Sequence, residues 1–290
     1  MNTQPTYTIT GFADEIDTAL DVQLAALGEW GIDHLELRSA DGVNVSDFSP
    51  EKLREVKGKL AATGIEVSSI GSPMGKIGIE EDFAPHLEKL KRTLEIQKEL
   101  EAPYLRLFSF YLPRGEDPAR FRGEVLERTQ AMIREAERWD AVLLHENEKG
   151  IYGDTAARCR DLMDQCCGPH YQAVFDFANF VEVGQDTQEA YGLLRPFIQY
   201  VHIKDCVAAT RQIVPAGQGD GHVADILGDL LGSGWSGFLS LEPHLFQFTG
   251  LAGLERDPVQ RRTALNGKEA WKLALDSLRE LLARLPEKEG

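Results

Sequence analysis

Four side chains suited to binding a divalent cation follow four successive strand-like segments in the second half of the sequence. The segments include AVLLH, YQAVF and GFLSL, and each is short and apolar. Three carboxylates and one imidazole make an oxygen-rich set of ligands, which is typical of Mg²⁺ or Mn²⁺ and also accepts Zn²⁺, Co²⁺ or Fe²⁺. The four residues are Glu146, Asp176, His202 and Glu242.

The elements that position these residues alternate between short apolar strands and longer amphipathic helices. Such alternation predicts a parallel sheet, and eight strands are the number that closes a (β/α)₈ barrel. The predicted strands are 7–12, 34–38, 65–71, 103–109, 141–146, 171–176, 200–205 and 237–242. The predicted helices lie near 15–30, 50–63, 82–100, 117–138, 154–167, 186–195, 222–232 and 268–285.

The pattern therefore predicts an α/β fold, a single-domain TIM barrel over residues 1–290. A doubly wound open sheet is the alternative, but it favours a GxGxxG turn after the first strand, and the turn here reads GFADEID. In a barrel, catalytic groups lie at the C-terminal ends of the strands. The four candidate ligands occupy those ends on strands five to eight, so we expect them to converge.

Charge and cysteine usage indicate a cytoplasmic protein with a small-molecule partner. The formal net charge is −16, whereas a binder of the nucleic-acid backbone needs a clustered basic face. No CxxC pair occurs, so reduced thiols are expected at Cys159, Cys166, Cys167 and Cys206. The N-terminal residues do not resemble a signal peptide, and no apolar run approaches the roughly 20 residues of a membrane helix.

Several segments resemble those of the sugar phosphate isomerase/epimerase family, which has the xylose-isomerase-like barrel. The segments are LLHENEKGIYGDT, AVFDFANFVEVGQD, YVHIKD, VPAGQGDG and GFLSLEPH. The resemblance extends from GFADEID at 11–17 to Glu242 and beyond. It implies that the four candidate residues bind one divalent metal ion, commonly Mn²⁺, and that Glu146 and Glu242 also serve as acid and base.

The sequence departs from the family pattern at two positions. Many relatives have a histidine soon after the first metal-binding glutamate, where this chain has Asn147 and Glu148. Many have a histidine three residues after the metal-binding aspartate, where this chain has Asn179. The set of four ligands stays intact, but the substrate is left open.

Isomerisation or epimerisation of a carbohydrate requires removal of a proton from carbon next to a carbonyl. A metal ion stabilises the resulting enediolate as a Lewis acid, and a carboxylate takes the proton. The same enediolate can expel a β-hydroxyl, so a dehydratase or lyase acting on keto-sugars or keto-cyclitols is the alternative. Two less favoured interpretations are an abasic-site endonuclease, which needs three metals and more histidines, and a non-catalytic sugar-binding protein.

Further residues near the strand ends are candidate contacts for a carbohydrate substrate. They are His244, Lys204, Asp205, Glu148, Arg106 and Arg211. The glycine-rich loop that contains Arg211 suits a mobile lid. Glu36 in HLELR is expected to form a buried ion pair between strands. The long C-terminal amphipathic helix is expected to cover the barrel as the ordinary eighth helix, and a contact with a second subunit in a homo-oligomer is the alternative.

Overall fold

The computed structural model describes residues 7–246 and 265–285, and eight parallel strands form its centre. Every strand overlaps a segment predicted from the alternation, although β4 ends two residues earlier than predicted and β7 begins two residues earlier. The strands are β1 (Tyr7–Gly11), β2 (His34–Leu37), β3 (Glu66–Gly71), β4 (Tyr104–Leu107), β5 (Val142–Glu146), β6 (Tyr171–Asp176), β7 (Ile198–Ile203) and β8 (Gly237–Leu241).

The strands are ordered β1-β8-β7-β6-β5-β4-β3-β2 in one sheet, and all of its ladders are parallel. β1 and β2 pack side by side, and within the described residues no ladder joins them. The sheet is thus a nearly closed barrel, which confirms the predicted TIM barrel and excludes the doubly wound alternative. Two short antiparallel hairpins, 39–44 and 205–214, lie outside it.

Helices connect the strands, and several begin and end where the sequence indicates. The helix α2 is an example, because Ser49 accepts a hydrogen bond from the Lys52 amide, Pro50 is the first helical residue, and Gly64 ends the helix at φ 71°. The helices are α1 (Leu20–Glu29), α2 (Pro50–Thr63), α3 (Phe83–Glu99), α4 (Arg122–Trp139), α5 (Ala156–Cys166), α6 (Phe177–Glu182), α7 (Thr187–Leu194), α8 (Val223–Gly232) and α9 (Gly267–Arg284).

The C-terminal helix α9 packs on the barrel, as the amphipathic pattern predicts. Its Trp271 is fully buried, stacks on Trp30 with ring centroids 5.2 Å apart, and donates a hydrogen bond to the Phe12 carbonyl. A Cβ atom at Gly267 would lie 2.4 Å from the Ile16 carbonyl oxygen, so only glycine allows this close approach. None of the helices in the described ranges is both long and apolar enough to span a membrane.

The barrel interior changes from apolar to polar along the strands. Apolar and aromatic side chains including Tyr104, Leu144, Val174, Tyr200 and Phe238 form a cluster inside it. Side chains two residues apart on a strand point to the same face. The next interior positions are therefore polar, and they lie towards the C-terminal ends of the strands. These positions are Arg106, Glu146, Asp176, His202 and Ser240.

Candidate active site

The four predicted ligand residues lie together at the C-terminal rim of the barrel, and we call them the metal cluster. Glu146, Asp176 and His202 belong to β5, β6 and β7, and Glu242 directly follows β8. Each residue offers one potential ligand atom, and these atoms lie within 4.8 Å of one another. All four side chains are buried. Adjacent parallel strands thus bring together residues that are up to 96 positions apart in the sequence (146 to 242).

Two atoms of the metal cluster lack hydrogen-bond partners despite complete burial. They are Oδ2 of Asp176 and Nδ1 of His202. Nδ1 lies 3.0 Å from Oε1 of Glu146, although not in hydrogen-bonding geometry, and 3.9 Å from Oδ2 of Asp176. Buried polar atoms without partners are costly. Unpartnered oxygen and nitrogen atoms that face a common centre, among two further carboxylates, fit a divalent cation.

The turn after β6 holds Asp176 in a defined orientation. Its Oδ1 accepts a hydrogen bond of 2.8 Å from the Asn179 amide and caps α6, which directs Oδ2 towards the cluster. The Asn147 side chain accepts from the Asp176 amide at 2.9 Å and donates to its carbonyl at 3.0 Å. Asn179 also donates to Oε1 of Glu146 at 3.2 Å. The two asparagines that depart from the family pattern therefore support two of the candidate ligand residues.

Glu146 is held as a carboxylate by its neighbours. Its Oε2 accepts a hydrogen bond of 2.7 Å from Arg106, whose guanidinium also lies over the rings of Phe12 and Phe108. Burial alone would raise the pKa of Glu146, but the charges of His202 and Arg106 outweigh burial and lower this pKa to about 2. Glu146 is therefore ionised at neutral pH.

Glu242 contacts three basic side chains. Oε2 lies 2.9 Å from Nζ of Lys204, and Oε1 lies 3.2 Å from both Arg38 and His244. Burial again opposes ionisation, but Lys204 and His244 hold the pKa of Glu242 well below its usual range. For Asp176, burial and the neighbouring carboxylates outweigh Lys204, which lies 3.3 Å away, and raise the pKa to about 8.

A second group of charged side chains adjoins Glu242, and we call it the arginine cluster: Asp14, Glu15, Arg38 and His244. Arg38 donates two hydrogen bonds of 2.9 Å to the two carboxylate oxygens of Asp14. It also contacts Oε1 of Glu15 at 3.3 Å, while Oε2 of Glu15 accepts from the His244 amide at 2.8 Å. These side chains are all buried.

A polar pocket opens beside the two clusters. Its lining contains no apolar residue, and most of the side chains are charged. Four of the six predicted substrate contacts lie in it, namely Arg106, Glu148, Lys204 and His244. The other lining residues are Arg38, Lys76, Lys149, Asn179, Glu182 and Glu242.

The profile of one protein family, described as the xylose isomerase-like TIM barrel, matches residues 24–281. The chain belongs to this family. The relationship indicated by the strand-end motifs is thereby confirmed. A search of curated proteins found no match.

Several solved structures share the fold of the chain at low sequence identity. D-psicose 3-epimerase from Clostridium cellulolyticum H10 has a TM-score of 0.75 at 14% identity, covering 96% of this chain and 99% of that one. The probable 3-DHS dehydratase AsbF from Bacillus anthracis has a TM-score of 0.73 at 17% identity, with coverages of 94% and 98%. A Mycobacterium smegmatis barrel protein in complex with magnesium has a TM-score of 0.67 at 17% identity, with coverages of 97% and 98%.

The structure does not bring the other two predicted substrate contacts, Asp205 and Arg211, into this pocket. The Asp205 carboxylate is fully buried and accepts hydrogen bonds of 2.9 to 3.0 Å from the amides of Gly217, Gly219 and Gly221. These bonds anchor the loop that was expected to be a mobile lid. Arg211 is exposed at the turn of the 205–214 hairpin, at φ 56°.

Sequence reasoning missed most of the arginine cluster and the lysines of the pocket. Asp14 and Glu15 follow β1, and Arg38 follows β2, so their positions at the C-terminal rim were a readable signal. Lys76 and Lys149 lie in loops, where they contact Glu148 at 2.9 Å and Glu182 at 3.2 Å. Nothing in their local sequence distinguishes them from surface lysines.

Proposed function

We propose that this protein is a divalent-metal-dependent isomerase or epimerase that moves a proton on the carbon next to the carbonyl of a carbohydrate. The observation that carries the proposal is the convergence of four buried potential ligand atoms, two of which have no hydrogen-bond partner. Glu146, Asp176, His202 and Glu242 would hold the ion. A bound cation would act as a Lewis acid on a carbonyl and the hydroxyl next to it.

Mn²⁺ is the ion we propose, on the basis of the family resemblance. Mg²⁺, Co²⁺ and Zn²⁺ also suit three carboxylates and one imidazole. A relative solved with magnesium supports a metal site in this fold without deciding which ion this chain prefers.

Glu146 and Glu242 are the proposed acid and base. The lowered pKa values of both keep them ionised at neutral pH, which is the form that a general base requires. Epimerisation also needs a proton to return from the other side. Glu242 can be resupplied by His244, which lies 3.2 Å away and lines the pocket.

The polar lining supports a small polyhydroxylated substrate. Ligand pockets are usually lined mainly by apolar side chains. The hydroxyl groups of a carbohydrate instead need many donors and acceptors, and this pocket offers them. We propose that Arg106, Glu148, Lys204 and His244 contact the substrate.

A dehydratase is the second candidate function. It is favoured by the likeness to a protein described as a probable 3-DHS dehydratase. Both reactions begin with the same proton removal, and they differ only in whether a β-hydroxyl is then lost. The endonuclease fits less well, because the metal cluster has one histidine and the chain carries a net charge of −16. A cytoplasmic location, which the four free thiols support, is part of the same proposal.

The first experiment is elemental analysis of metal in protein purified without chelator. We expect about one divalent ion per chain in the wild type and less in Glu242→Gln. Glu66→Gln is the matched control, because the Glu66 side chain is 79% exposed and is not one of the four candidate ligands. A wild type that binds no metal after addition of Mn²⁺ or Mg²⁺ would refute the proposal, and three zinc ions per chain would favour the nuclease.

The second experiment is a screen of keto-sugars and keto-cyclitols in deuterated water, followed by NMR. Deuterium incorporation next to the carbonyl without loss of water indicates an isomerase or epimerase. Formation of an unsaturated product indicates a dehydratase. Glu242→Gln should slow either reaction by about 10²- to 10⁴-fold.

A further inference from the structure

We propose that Glu36 is a positioning residue that keeps the ring proton of His202 on Nε2 and so presents a bare Nδ1 to the metal cluster. The inference rests on the proposed function, since it concerns how that site binds its ion. Glu36 lies on β2 and His202 on β7, 166 positions apart in the sequence. Both side chains are completely buried, and Oε2 of Glu36 lies 3.1 Å from Nε2 of His202.

The hydrogen bonds of Glu36 identify the donor in its contact with His202. The Ser240 hydroxyl donates to the same oxygen, Oε2, at 2.5 Å. A carboxylate oxygen only accepts hydrogen bonds, so Nε2 of His202 is the donor in the contact with Glu36. An imidazole that binds a metal ion is neutral, and a ring protonated on Nε2 then has its lone pair on Nδ1. Nδ1 is the nitrogen that faces the metal cluster.

The surroundings of His202 prevent the ring from turning over. Phe12 packs edge-on to the imidazole with centroids 5.3 Å apart, and Tyr200 does so at 5.8 Å. The interplanar angles are 76° and 81°. The ring is therefore clamped by two aromatic side chains, while Glu36 and the metal cluster lie at opposite nitrogens. Only the position of the proton remains to be set, and Glu36 sets it.

A layer of buried hydroxyl groups accompanies Glu36 across the barrel. Thr10 and Ser68 are hydrogen-bonded through their hydroxyls at 2.9 Å, and Ser68 bonds the Tyr200 hydroxyl at 2.9 Å. All three side chains are fully buried. Apolar residues usually fill this part of a barrel at lower cost than a carboxylate. A carboxylate that is kept there among hydroxyls is better explained by its contact with a ligand residue than by packing.

The test is the binding of Mn²⁺ to Glu36→Gln, measured by isothermal titration calorimetry. Glutamine keeps the shape of the side chain, but its amide can donate to Nε2 and thereby favour a proton on Nδ1, where it opposes metal binding. We expect affinity about 10- to 100-fold below that of the wild type. Glu66→Gln, an exposed residue on the neighbouring strand β3, should bind Mn²⁺ like the wild type.

A second readout is ¹⁵N NMR of histidine rings in the zinc-loaded proteins, with His202→Gln used for assignment. In the wild type, Nε2 should carry the proton and Nδ1 should have the shift of a metal ligand. Should Glu36→Gln not fold, Ser240→Ala removes only the hydroxyl that steadies Glu36, and we expect about 5-fold weaker binding of Mn²⁺.

Two outcomes separate this inference from the proposed function. A wild type that binds Mn²⁺ no more tightly than Glu36→Gln, or whose zinc-loaded His202 carries its proton on Nδ1, overturns the role of Glu36 and leaves the function standing. A wild type that binds neither Mn²⁺ nor Zn²⁺ overturns both.

Discussion

The metal cluster and the arginine cluster are similar in composition but differ in how their charge is neutralised. Both lie at the C-terminal rim, both are buried, and both combine carboxylates with one histidine. They meet at Glu242, whose Oε1 contacts Arg38 and whose Oε2 contacts Lys204. The ligand atoms of Glu15, Glu242 and His244 even lie within 4.8 Å of one another, as do those of the metal cluster.

The difference is the position of the chain's own cation. In the arginine cluster, the Arg38 guanidinium contacts Asp14, Glu15 and Glu242 at 2.9 to 3.3 Å, so it lies where an ion would have to bind. In the metal cluster, Lys204 lies 3.3 Å from Oδ2 of Asp176 without a hydrogen bond to it, and Nδ1 of His202 also lacks a hydrogen-bond partner. The guanidinium that lies within the arginine cluster and the unsatisfied ligand atoms of the metal cluster together favour the metal cluster as the site of an ion.

The largest expected effect comes from removing an unsatisfied ligand atom. Asp176→Asn keeps an oxygen to cap α6 but cannot provide the carboxylate charge that a bound cation would require. We expect the affinity for Mn²⁺ to fall by more than the roughly 100-fold seen when a supporting residue is lost. Calorimetry measures it, and Asp186→Asn, which changes the cap of α7, is the matched control. Unchanged affinity in Asp176→Asn would remove this aspartate from the site.

Arg38→Gln tests the other half of the comparison. Removing one partner of a buried ion pair leaves uncompensated charge, so we expect the free energy of unfolding to fall by about 3–5 kcal/mol. Urea denaturation measures the loss, and Lys57→Gln, which breaks an exposed pair with Glu99, should change it by less than about 1 kcal/mol. If Mn²⁺ restored the stability of Arg38→Gln, the arginine cluster would itself be a latent metal site.

Lys204→Met should destabilise the metal-free protein more than the metal-bound protein. Lys204 contacts Asp176 and Glu242, both of which would share their charge with a bound ion. Without metal, we expect the variant to lose about 2 kcal/mol of stability, which corresponds to a hydrogen bond between charged groups. Saturating Mn²⁺ should recover part of that loss. Thermal unfolding of the wild type and of Lys204→Met, with and without Mn²⁺, measures this recovery. Equal stabilisation of the two proteins by the ion would contradict the expectation.

The last expected effect is a pH dependence in the arginine cluster. Burial outweighs Arg38 and raises the pKa of Glu15 from 4.5 to about 8. A carboxyl group with a raised pKa contributes stability below pH 4.5, and that contribution is lost as the pH rises through 8. Glu15→Gln should therefore gain stability relative to the wild type between pH 5 and pH 8.5.

Urea denaturation in the presence of chelator measures this difference across the pH range. The contribution of Asp176 to stability changes with pH in the same direction, since its pKa is also raised to about 8. Asp176 is present in both proteins, so its contribution cancels in the comparison. Glu51→Gln changes an exposed carboxyl group in α2, and its curve of stability against pH should run parallel to that of the wild type. Parallel curves for Glu15→Gln would show that Glu15 is ionised in the folded protein.

The residues differ in how far the sequence alone could place them. Glu146 and His202 end apolar strands in an alternating βα pattern, and a barrel necessarily brings such strand ends to one rim. Asp205 has the same kind of local sequence, yet its carboxylate faces the amides of three glycines that return to it from 12 to 16 positions away. Its direction depends on the path of that loop.

Glu36, inside the barrel, is a second residue whose contact the local sequence could not predict. An ion pair between strands was expected, and Glu36 does contact a basic side chain on another strand. That partner is His202, which lies across the barrel, and the register and shear of the sheet select it. Local sequence specifies that Glu36 faces a buried position, but it holds no information about the residue opposite.

By itself, the sequence determined the barrel and the four strand-end residues, because side-chain alternation and strand order are short-range properties that repeat along the chain. Only the tertiary structure decided which acids receive an internal cation and which retain unsatisfied atoms. That decision depends on contacts such as Arg38 with Asp14, Lys204 with Glu242, and Glu36 with His202. These pairs are 24, 38 and 166 positions apart, and only the arrangement of the strands in the folded barrel brings them within hydrogen-bonding distance.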